Sequence, residues 1–215
     1  MIQAVLFDLD GVLVSTDEYH YLSWKKLSKE EGFDFFDHEF NHKFRGVARK
    51  ECVEIITKAS GKHYSPEKKQ ELADRKNRYF VESLSSVTTE VLLPGSLSTL
   101  QELKKRGIKI AVASNSRNAK TIIDQSHINE FLDTVVDGYD IKNSKPDPEV
   151  FLLAAKNVGI PPAHCLVVED AVAGIESARR AGMKALGIGT KERLPNADIV
   201  IPNLAAISVD ELLNL

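Results

Sequence analysis

The amino-acid sequence predicts an α/β fold in which a Rossmann-like parallel sheet forms the core and a small helical domain is inserted after the first strand. From about residue 95 to residue 201, short apolar runs alternate with helical stretches, which is the pattern of parallel strands joined by crossover helices. Residues 15–84 instead form one predicted helix after another, without a convincing strand. We therefore expect a core domain built from residues 1–14 and 85–215 and an inserted domain built from residues 15–84.

The predicted core elements are bounded by residues that favour turns or helix ends. The apolar run at residues 2–7 ends in acidic residues and Gly11, as expected for a buried parallel strand. Gly107 favours the end of one helix, and Asp147-Pro148 favours the start of another. The predicted strands span residues 2–7, 108–113, 134–136, 165–168, 184–188 and 199–201, and the predicted helices span about 96–106, 117–125, 148–158 and 171–181.

The inserted domain is rich in aromatic side chains. Eight of the 15 aromatic residues of the chain lie between Tyr19 and Phe44. A small helical unit needs bulky side chains to form its own core, so packing is their expected role, with a ligand contact by one or two of them as the alternative. Within this domain, Ser65-Pro66 favours a helix start.

The composition excludes several classes of protein. With 28 Lys and Arg against 31 Asp and Glu, the formal net charge is −3, which argues against nucleic acid as a partner. No apolar run approaches the roughly 18 residues of a membrane span, so we expect no membrane partner. The two cysteines, Cys52 and Cys165, are far apart, so we expect two small buried side chains and a cytoplasmic protein. We also expect the protein to be a monomer.

Acidic residues follow two of the predicted strands. Asp8 and Asp10 come directly after the first strand, and Glu169 and Asp170 follow the strand at residues 165–168. Ligands of an open parallel sheet bind beyond the carboxyl ends of its strands, and paired carboxylates there invite a cation. Taken singly, each pair is equally typical of a solvated turn or of acids that favour a helix start.

A hydroxyl-rich turn and a lysine complete the pattern. Ser114-Asn115-Ser116 follows the strand at residues 108–113, where a hydroxyl and the N–H groups of the next helix could bind an anion; ordinary N-capping is the alternative. Lys145 lies between a turn and a helix start, either as a surface lysine or as a positive charge for a phosphoryl group. The ordered combination of acids, hydroxyl, lysine and acids fits Mg²⁺-assisted phosphoryl transfer to a carboxylate.

These motifs resemble those of the haloacid dehalogenase superfamily of phosphotransferases, and the match covers essentially the whole chain. The residues at positions 8–12 meet its DxDx[TV] pattern, and Ser114, Lys145 and Glu169-Asp170 meet its later motifs. The resemblance implies that the inserted helical domain is the small α-helical cap of that superfamily. It also implies that Asp8 becomes an aspartyl phosphate and that Asp10 is the general acid and base.

The same resemblance implies the binding groups of the core. Mg²⁺ would be held by Asp8, the main-chain carbonyl of Asp10 and Asp170, with Glu169 as a further candidate. The transferring phosphoryl group would be bound by residues of two motifs, namely Ser114, Asn115 and Lys145.

Within the superfamily, the chain most resembles the β-phosphoglucomutase family. The residues that carry this similarity are Thr16, Glu18-Tyr19-His20, Trp24, Arg45–Arg49, Arg75-Lys76-Asn77 and Ser116-Arg117-Asn118. The similarity implies that Arg49, Ser116 and Asn118 hold the non-transferring phosphate. His20 and Lys76 would help to switch Asp10 between positions as the cap closes and excludes water. The remaining substrate-binding candidates are Trp24, Gly46, Val47 and Arg117; Gly46 and Val47 would shape the sugar pocket, and Arg117 stands where lysine is common in relatives.

The resemblance therefore implies a mutase that interconverts β-D-glucose 1-phosphate and glucose 6-phosphate through β-glucose 1,6-bisphosphate. The closest alternative is a phosphatase with the same core that acts on sugar phosphates or phosphoglycolate. A different class of alternative is a regulator that binds sugar phosphates without turnover, against which the intact Asp8, Asp10, Lys145 and Asp170 argue.

Overall fold

The structure, a computed structural model, describes residues 1–44, 47 and 49–215. The chain forms two compact units. The core unit comprises Met1–Ser15 and Val87–Leu215, and the helical unit comprises Thr16–Ser86.

A six-stranded parallel sheet forms the centre of the core unit, as predicted. Its strand order is β3-β2-β1-β4-β5-β6, so the first strand of the chain lies in the middle. The strands are β1 (Ala4–Phe7), β2 (Lys109–Ala113), β3 (Thr134–Val136), β4 (Cys165–Glu169), β5 (Lys184–Ile188) and β6 (Ile199–Ile201).

The helices follow the predicted alternation, with small shifts at their ends. In chain order they are α1 (Asp17–Glu31), α2 (His38–Asn41), α3 (Arg49–Ala59), α4 (Pro66–Ser83), α5 (Ser96–Lys105), α6 (Ala119–Gln125), α7 (Glu149–Val158), α8 (Val172–Arg180) and α9 (Val209–Leu213). Helix α6 begins two residues later than predicted, because Ser116 and Asn118 belong to a hydrogen-bonded loop before it. Helix α7 begins at Glu149, one residue later than predicted, so Pro148 and not Asp147 stands at the N-cap position. Asp147 Oδ1 nevertheless accepts a hydrogen bond from the N–H of Glu149 at 3.0 Å.

The register of the sheet brings three strand ends to one level. Phe7 at the end of β1 pairs with Val112 of β2 on one side and with Val168 of β4 on the other. The next residue, Asp8, is therefore level with Ala113 and Glu169, and its N–H donates to Val168 O at 2.9 Å. Because all the strands are parallel, the residues that follow them lie along the same edge. We call this the carboxyl edge of the sheet.

The helical unit has a hydrophobic core of its own. On α1, Tyr21, Trp24 and Leu27 are spaced three apart and are buried, as one face of a helix requires. The predicted start of α4 is confirmed, because Ser65 Oγ accepts a hydrogen bond from Lys68 N at 3.3 Å. The expected packing role of the aromatic residues is confirmed for most of them. The buried members of this core are Tyr21, Trp24, Leu27, Phe33, Phe36, Phe44, Cys52, Val53, Ile56, Leu72 and Ala73.

Candidate active site

The ammonium group of Lys145 lies between two carboxylates at the carboxyl edge of the sheet. Its Nζ donates hydrogen bonds to Asp8 Oδ1, to Glu169 Oε1 at 2.9 Å and to Ala113 O at 2.9 Å. It also lies 4.7 Å from the centre of the Phe151 ring. Only 5% of the Lys145 side chain is exposed, and 13% of Asp8. The surface-lysine alternative is therefore wrong, because Lys145 is a buried cation that holds two acids in place.

Burial governs the acid–base properties of this cluster. It raises the pKa of Asp8 to about 8; Lys145 opposes the rise, whereas Glu169 and Asp10 add to it. Burial lowers the pKa of Lys145, but the attraction of Asp8 and Glu169 is stronger, so this pKa lies above its usual value. The cluster thus keeps Lys145 charged while it crowds Asp8 with negative groups. Further positive charge at Asp8 would favour its ionised form.

Asp170, the residue after β4, lies against the loop that follows β1. Gly11 in this loop has a φ of +85°, and a Cβ there would overlap Asp170 Oδ2. Glycine is therefore required at position 11 by the backbone and by the closeness of the carboxylate. Burial, followed by the charge of Glu169, raises the pKa of Asp170 to about 6, whereas Arg193 and Lys145 oppose the rise.

Helix α8 begins close against Glu169. Glu169 Oε2 accepts a hydrogen bond from Ala171 N at 2.6 Å, and its other oxygen accepts from Lys145. A Cβ at Gly174 would overlap the carboxylate of Glu169, so only glycine leaves room for it. Both oxygens of Glu169 are thus engaged by protein donors, and its position is defined by α8 as well as by Lys145.

The hydroxyl-rich turn after β2 forms an internally bonded loop. The Ser114 and Ser116 hydroxyls accept hydrogen bonds from the N–H groups of Ser116 and Asn118, at 3.1 and 3.2 Å. Asn115 Oδ1 accepts from the main-chain N–H of Lys145 at 3.3 Å, which joins this loop to the one that carries the buried lysine. Ser114 itself is buried, at 3% exposure. The loop is therefore held beside Lys145. Both serine hydroxyls can still donate a hydrogen bond to an anion.

In the helical unit, α1 and α4 bring His20 and Lys76 together. Lys76 Nζ lies 2.6 Å from His20 Nδ1, and the His20 ring stacks on Phe80 at 4.0 Å between ring centres. Burial, then the charges of Lys76 and Arg49, lowers the pKa of His20 well below its usual value. Burial and then Arg49 also lower the pKa of Lys76, to about 7. Lys76 is only 3% exposed, so it does not belong to a solvated helix face.

The other candidates of the helical unit differ in their surroundings. Trp24 is buried, and Lys76 Nζ lies 5.3 Å from its ring centre. Arg49 is exposed, and its guanidinium donates to Asn77 Oδ1 on α4. Val47 is half-buried against the core of the unit. Gly46 lies outside the described residues.

The acidic residues fit Mg²⁺ by their chemistry. Among the residues that the structure describes, no three His, Cys, Asp or Glu side chains are arranged to hold a metal ion. Asp8 and Asp170 nevertheless supply hard oxygen atoms, and Asp170 lies against Gly11, next to the main chain of Asp10. Mg²⁺ is usually bound through one or two carboxylates and completes its shell with water and substrate phosphate, so this donor set suits it.

Some groups of the site have no signal in the sequence. The Ala113 carbonyl accepts from Lys145 as a main-chain atom, and no sequence motif encodes such an acceptor. Arg193 follows β5 and affects Asp170, although it belongs to none of the motifs. Gly174 is a residue of α8, and its close contact with the Glu169 carboxylate depends on how α8 packs against the end of β4.

Comparison with known proteins places the chain in a family. The profile of the haloacid dehalogenase-like hydrolases matches residues 2–182. The chain belongs to the haloacid dehalogenase-like hydrolase family. This membership confirms the resemblance drawn from the strand-end motifs, and the parallel sheet is the fold of that family. The protein is therefore an enzyme of the haloacid dehalogenase-like family.

The chain is similar in sequence or structure to three members of known description. The β-phosphoglucomutase of Bacillus subtilis is 39% identical over 212 residues, which cover 98% of this chain and 93% of that protein. The crystal structure of β-phosphoglucomutase from Clostridium difficile has a TM-score of 0.84 and 36% identity, covering 100% of this chain and 96% of that one. A phosphorylated carbohydrates phosphatase of Thermotoga maritima is 28% identical and covers 99% and 97% of the two chains.

None of the helices that the structure describes is long and apolar enough to cross a membrane.

Proposed function

We propose that this haloacid dehalogenase-like enzyme catalyses the β-phosphoglucomutase reaction, the interconversion of β-D-glucose 1-phosphate and glucose 6-phosphate. The observation that carries phosphoryl transfer is the buried Lys145, which holds Asp8 beside Glu169 at the carboxyl edge of the sheet. The choice of the mutase reaction is supported by the two β-phosphoglucomutases that the chain resembles over nearly its full length.

In the proposed mechanism, Asp8 is the nucleophile and Asp10 moves the proton. An oxygen of Asp8 attacks the phosphorus of one phosphate of β-glucose 1,6-bisphosphate, and the bond between that phosphorus and the sugar oxygen breaks. Asp10 protonates the leaving sugar oxygen, which yields a monophosphate and an aspartyl phosphate. In the reverse sense, Asp10 takes the proton from a hydroxyl of the second monophosphate as that oxygen attacks the aspartyl phosphate. The bisphosphate re-forms, and it turns round between the two half-reactions.

Mg²⁺ is the cofactor of this proposal. Asp8, Asp170 and the main-chain carbonyl of Asp10 would hold it, and Glu169 would hold Lys145 beside them. When bound, the ion supplies positive charge that favours ionised Asp8 and offsets the charge of the phosphoryl oxygens. Lys145 contributes the same kind of stabilisation from the protein itself, because its buried ammonium group stays charged.

Two sets of residues are proposed to bind the phosphates. Ser114, Asn115 and Lys145 bind the transferring group, since the ordered loop after β2 is joined to Lys145. The non-transferring phosphate is bound by polar and basic side chains, namely Arg49, Ser116, Arg117 and Asn118. Arginine suits this role because its planar guanidinium donates two parallel hydrogen bonds to phosphate oxygens.

The helical unit is proposed to supply the remaining groups. The buried pair His20 and Lys76 controls the position of Asp10 during the reaction. The pKa of Lys76, about 7, lets its amine exchange a proton near neutral pH, whereas the lowered pKa of His20 keeps the imidazole neutral. Trp24, Gly46 and Val47 complete the proposed sugar-binding set.

A sugar-phosphate phosphatase is the second candidate, because the Thermotoga maritima relative is named for that activity. The two candidates differ in where the phosphoryl group of Asp8 goes. A mutase transfers it to a sugar hydroxyl, whereas a phosphatase transfers it to water and releases inorganic phosphate. The regulator alternative requires no turnover at all.

One experiment separates the candidates. The enzyme is incubated with Mg²⁺ and β-D-glucose 1-phosphate, with and without trace β-glucose 1,6-bisphosphate, and both glucose 6-phosphate and inorganic phosphate are followed. We expect glucose 6-phosphate to form much faster than inorganic phosphate and to depend on the bisphosphate. Steady phosphate release without the bisphosphate would favour the phosphatase, and no turnover of either kind would contradict an enzymatic role.

A further inference from the structure

A turn after β3 presents an exposed aromatic ring to Arg117. Tyr139 is 72% exposed, although it is a large aromatic side chain. The guanidinium carbon of Arg117 lies 5.3 Å from the centre of the Tyr139 ring, within the range of a cation–π contact. Both residues follow strands of the core unit and lie at the carboxyl edge of the sheet. Tyr139 therefore contributes little to a hydrophobic core, and its defined contact is with a basic side chain of the proposed phosphate-binding loop.

The turn that carries Tyr139 is held rigidly from within. Asp137 is buried, and its Oδ1 accepts a hydrogen bond from Tyr139 N at 2.8 Å. Asp140 Oδ2 accepts from Asp137 N at 3.0 Å. Lys120 Nζ pairs with both carboxylates, at 3.2 Å in each case. These bonds fix the main chain on both sides of Tyr139 and so fix the direction in which its side chain leaves the turn.

The same turn contacts the loop that follows β2, which is proposed to bind phosphate. Gly138 N donates to Ser116 O at 3.1 Å. A Cβ at Gly138 would overlap the main-chain oxygen of Asn115 and crowd the side chain of Arg117, so glycine allows the two loops to touch. The contact between Tyr139 and Arg117 thus belongs to a built interface between two loops, rather than to one mobile side chain at the surface.

The electrostatic surroundings leave Arg117 free to bind an anion. Among the residues that the structure describes, no carboxylate forms an ion pair with Arg117. A flexible arginine loses rotamer freedom when it binds phosphate, and a ring that already holds it reduces that loss. Contact through the face of the guanidinium leaves its N–H edge available for a bidentate phosphate contact.

We propose that Tyr139 is a positioning residue that holds Arg117 ready for the non-transferring phosphate of the substrate. This inference rests on the proposed function, in which Arg117 contacts that phosphate. Tyr139 itself needs no contact with the substrate. Its ring face acts on Arg117, so phenylalanine at this position should replace it and leucine should not.

Kinetics with three variants test this role. Tyr139→Leu should raise the KM for β-D-glucose 1-phosphate about two- to five-fold and leave kcat within a factor of two, as expected for one exposed cation–π contact. Tyr139→Phe should keep the wild-type KM. In an Arg117→Ala background, Tyr139→Leu should have no further effect on KM. A Tyr139→Leu enzyme with unchanged KM, or a Tyr139→Phe enzyme as impaired as the leucine variant, would overturn the proposal.

A spectroscopic titration separates this proposal from the proposed function. The NMR signal of the Arg117 Nε–Hε group should be shifted by the ring in the wild type and in Tyr139→Phe, and should lose that shift in Tyr139→Leu. Inorganic phosphate, titrated while this signal is followed, should bind the leucine variant about two- to five-fold more weakly. This result stands even if the wild type forms no glucose 6-phosphate. Equal phosphate affinities of wild type and Tyr139→Leu would refute the positioning role.

Discussion

At the scale of single residues, the site depends on buried charge and on two glycines. Lys145 is placed against Asp8 and Glu169, where it offsets some of their repulsion. Gly11 and Gly174 leave room for the carboxylates of the strand-end acids, because a Cβ at either position would overlap one of them. The site therefore needs both its charged side chains and the space that the two glycines leave for them.

Replacement of the nucleophile gives the most direct prediction at this scale. Asp8→Asn keeps the size of the side chain but removes its nucleophilic oxygen, so formation of glucose 6-phosphate and release of phosphate should both fall by at least about 10³-fold. Circular dichroism should show an unchanged fold. Activity within tenfold of the wild type would show that Asp8 is not the nucleophile.

Gly174→Ala tests the contact between α8 and Glu169. The added methyl group must displace the Glu169 carboxylate or the helix, and displacements of about 1 Å at a reacting site cost about 10- to 100-fold in rate. The matched control is Gly107→Ala: Gly107 has a φ of +69° but open space around it, so it should lose stability without losing activity. Equal specific activities of the two folded variants would contradict the role assigned to Gly174.

At the scale of secondary structure elements, α1 and α4 enclose a buried polar pair in a hydrophobic unit. Lys76 is surrounded by His20 and Phe80, and Arg49 of α3 acts on it through its positive charge. Burial of an amine near another cation favours its neutral form. Burial of such a pair costs folding free energy, and the dependence of stability on pH measures that cost.

The stability of the helical unit should depend on the protonation of Lys76. The pKa of Lys76 is about 7 in the folded chain and 10.5 for an unperturbed lysine, so the unfolded chain binds more protons between these values. The free energy of unfolding should therefore rise by the order of a few kcal/mol from pH 7 to pH 10. Urea unfolding across this range measures the slope.

Two variants assign that slope to the buried lysine. Lys76→Met should flatten it, because the group that titrates is removed. Lys26→Met, at an exposed position of α1, should leave it unchanged. If Lys76→Met kept the wild-type slope, the buried amine would not be its cause.

At the scale of the whole molecule, the chain forms two units, each with its own hydrophobic core. The helical unit interrupts the core unit after Ser15, and the chain returns to the core unit at Val87. The proposed catalytic groups belong to the core unit, whereas His20, Arg49 and Lys76 belong to the helical unit. The relative use of sugar phosphate and of a small substrate should therefore distinguish the contributions of the two units.

Arg49→Ala tests this division. Loss of a charge-assisted phosphate contact should lower kcat/KM for β-D-glucose 1-phosphate by about 10- to 100-fold. Hydrolysis of acetyl phosphate, which has no second phosphate, should change by less than about threefold. Lys50→Ala, at the neighbouring exposed position, serves as the control. Equal losses of Arg49→Ala on both substrates would count against a role in binding the non-transferring phosphate.

The sequence alone determined the local elements and the chemical groups of the site. Apolar runs marked the strands because a strand buried in a parallel sheet needs apolar residues on both faces, and the β4 prediction was only one residue short. The strand-end motifs identified the family, and the family profile confirms it. These properties are local, since each depends on a short stretch of residues.

Only the tertiary structure decided whether each candidate side chain is buried or exposed and which groups it contacts. Sequence could not distinguish a surface Lys145 from a buried one, because its burial depends on Asp8 and Glu169 from distant strands. The same holds for Lys76, whose pKa is set by packing between helices, and for Tyr139, whose partner Arg117 follows a different strand. Strand order and register bring these groups together, and the energies that act between them depend on distance in space rather than on separation along the chain.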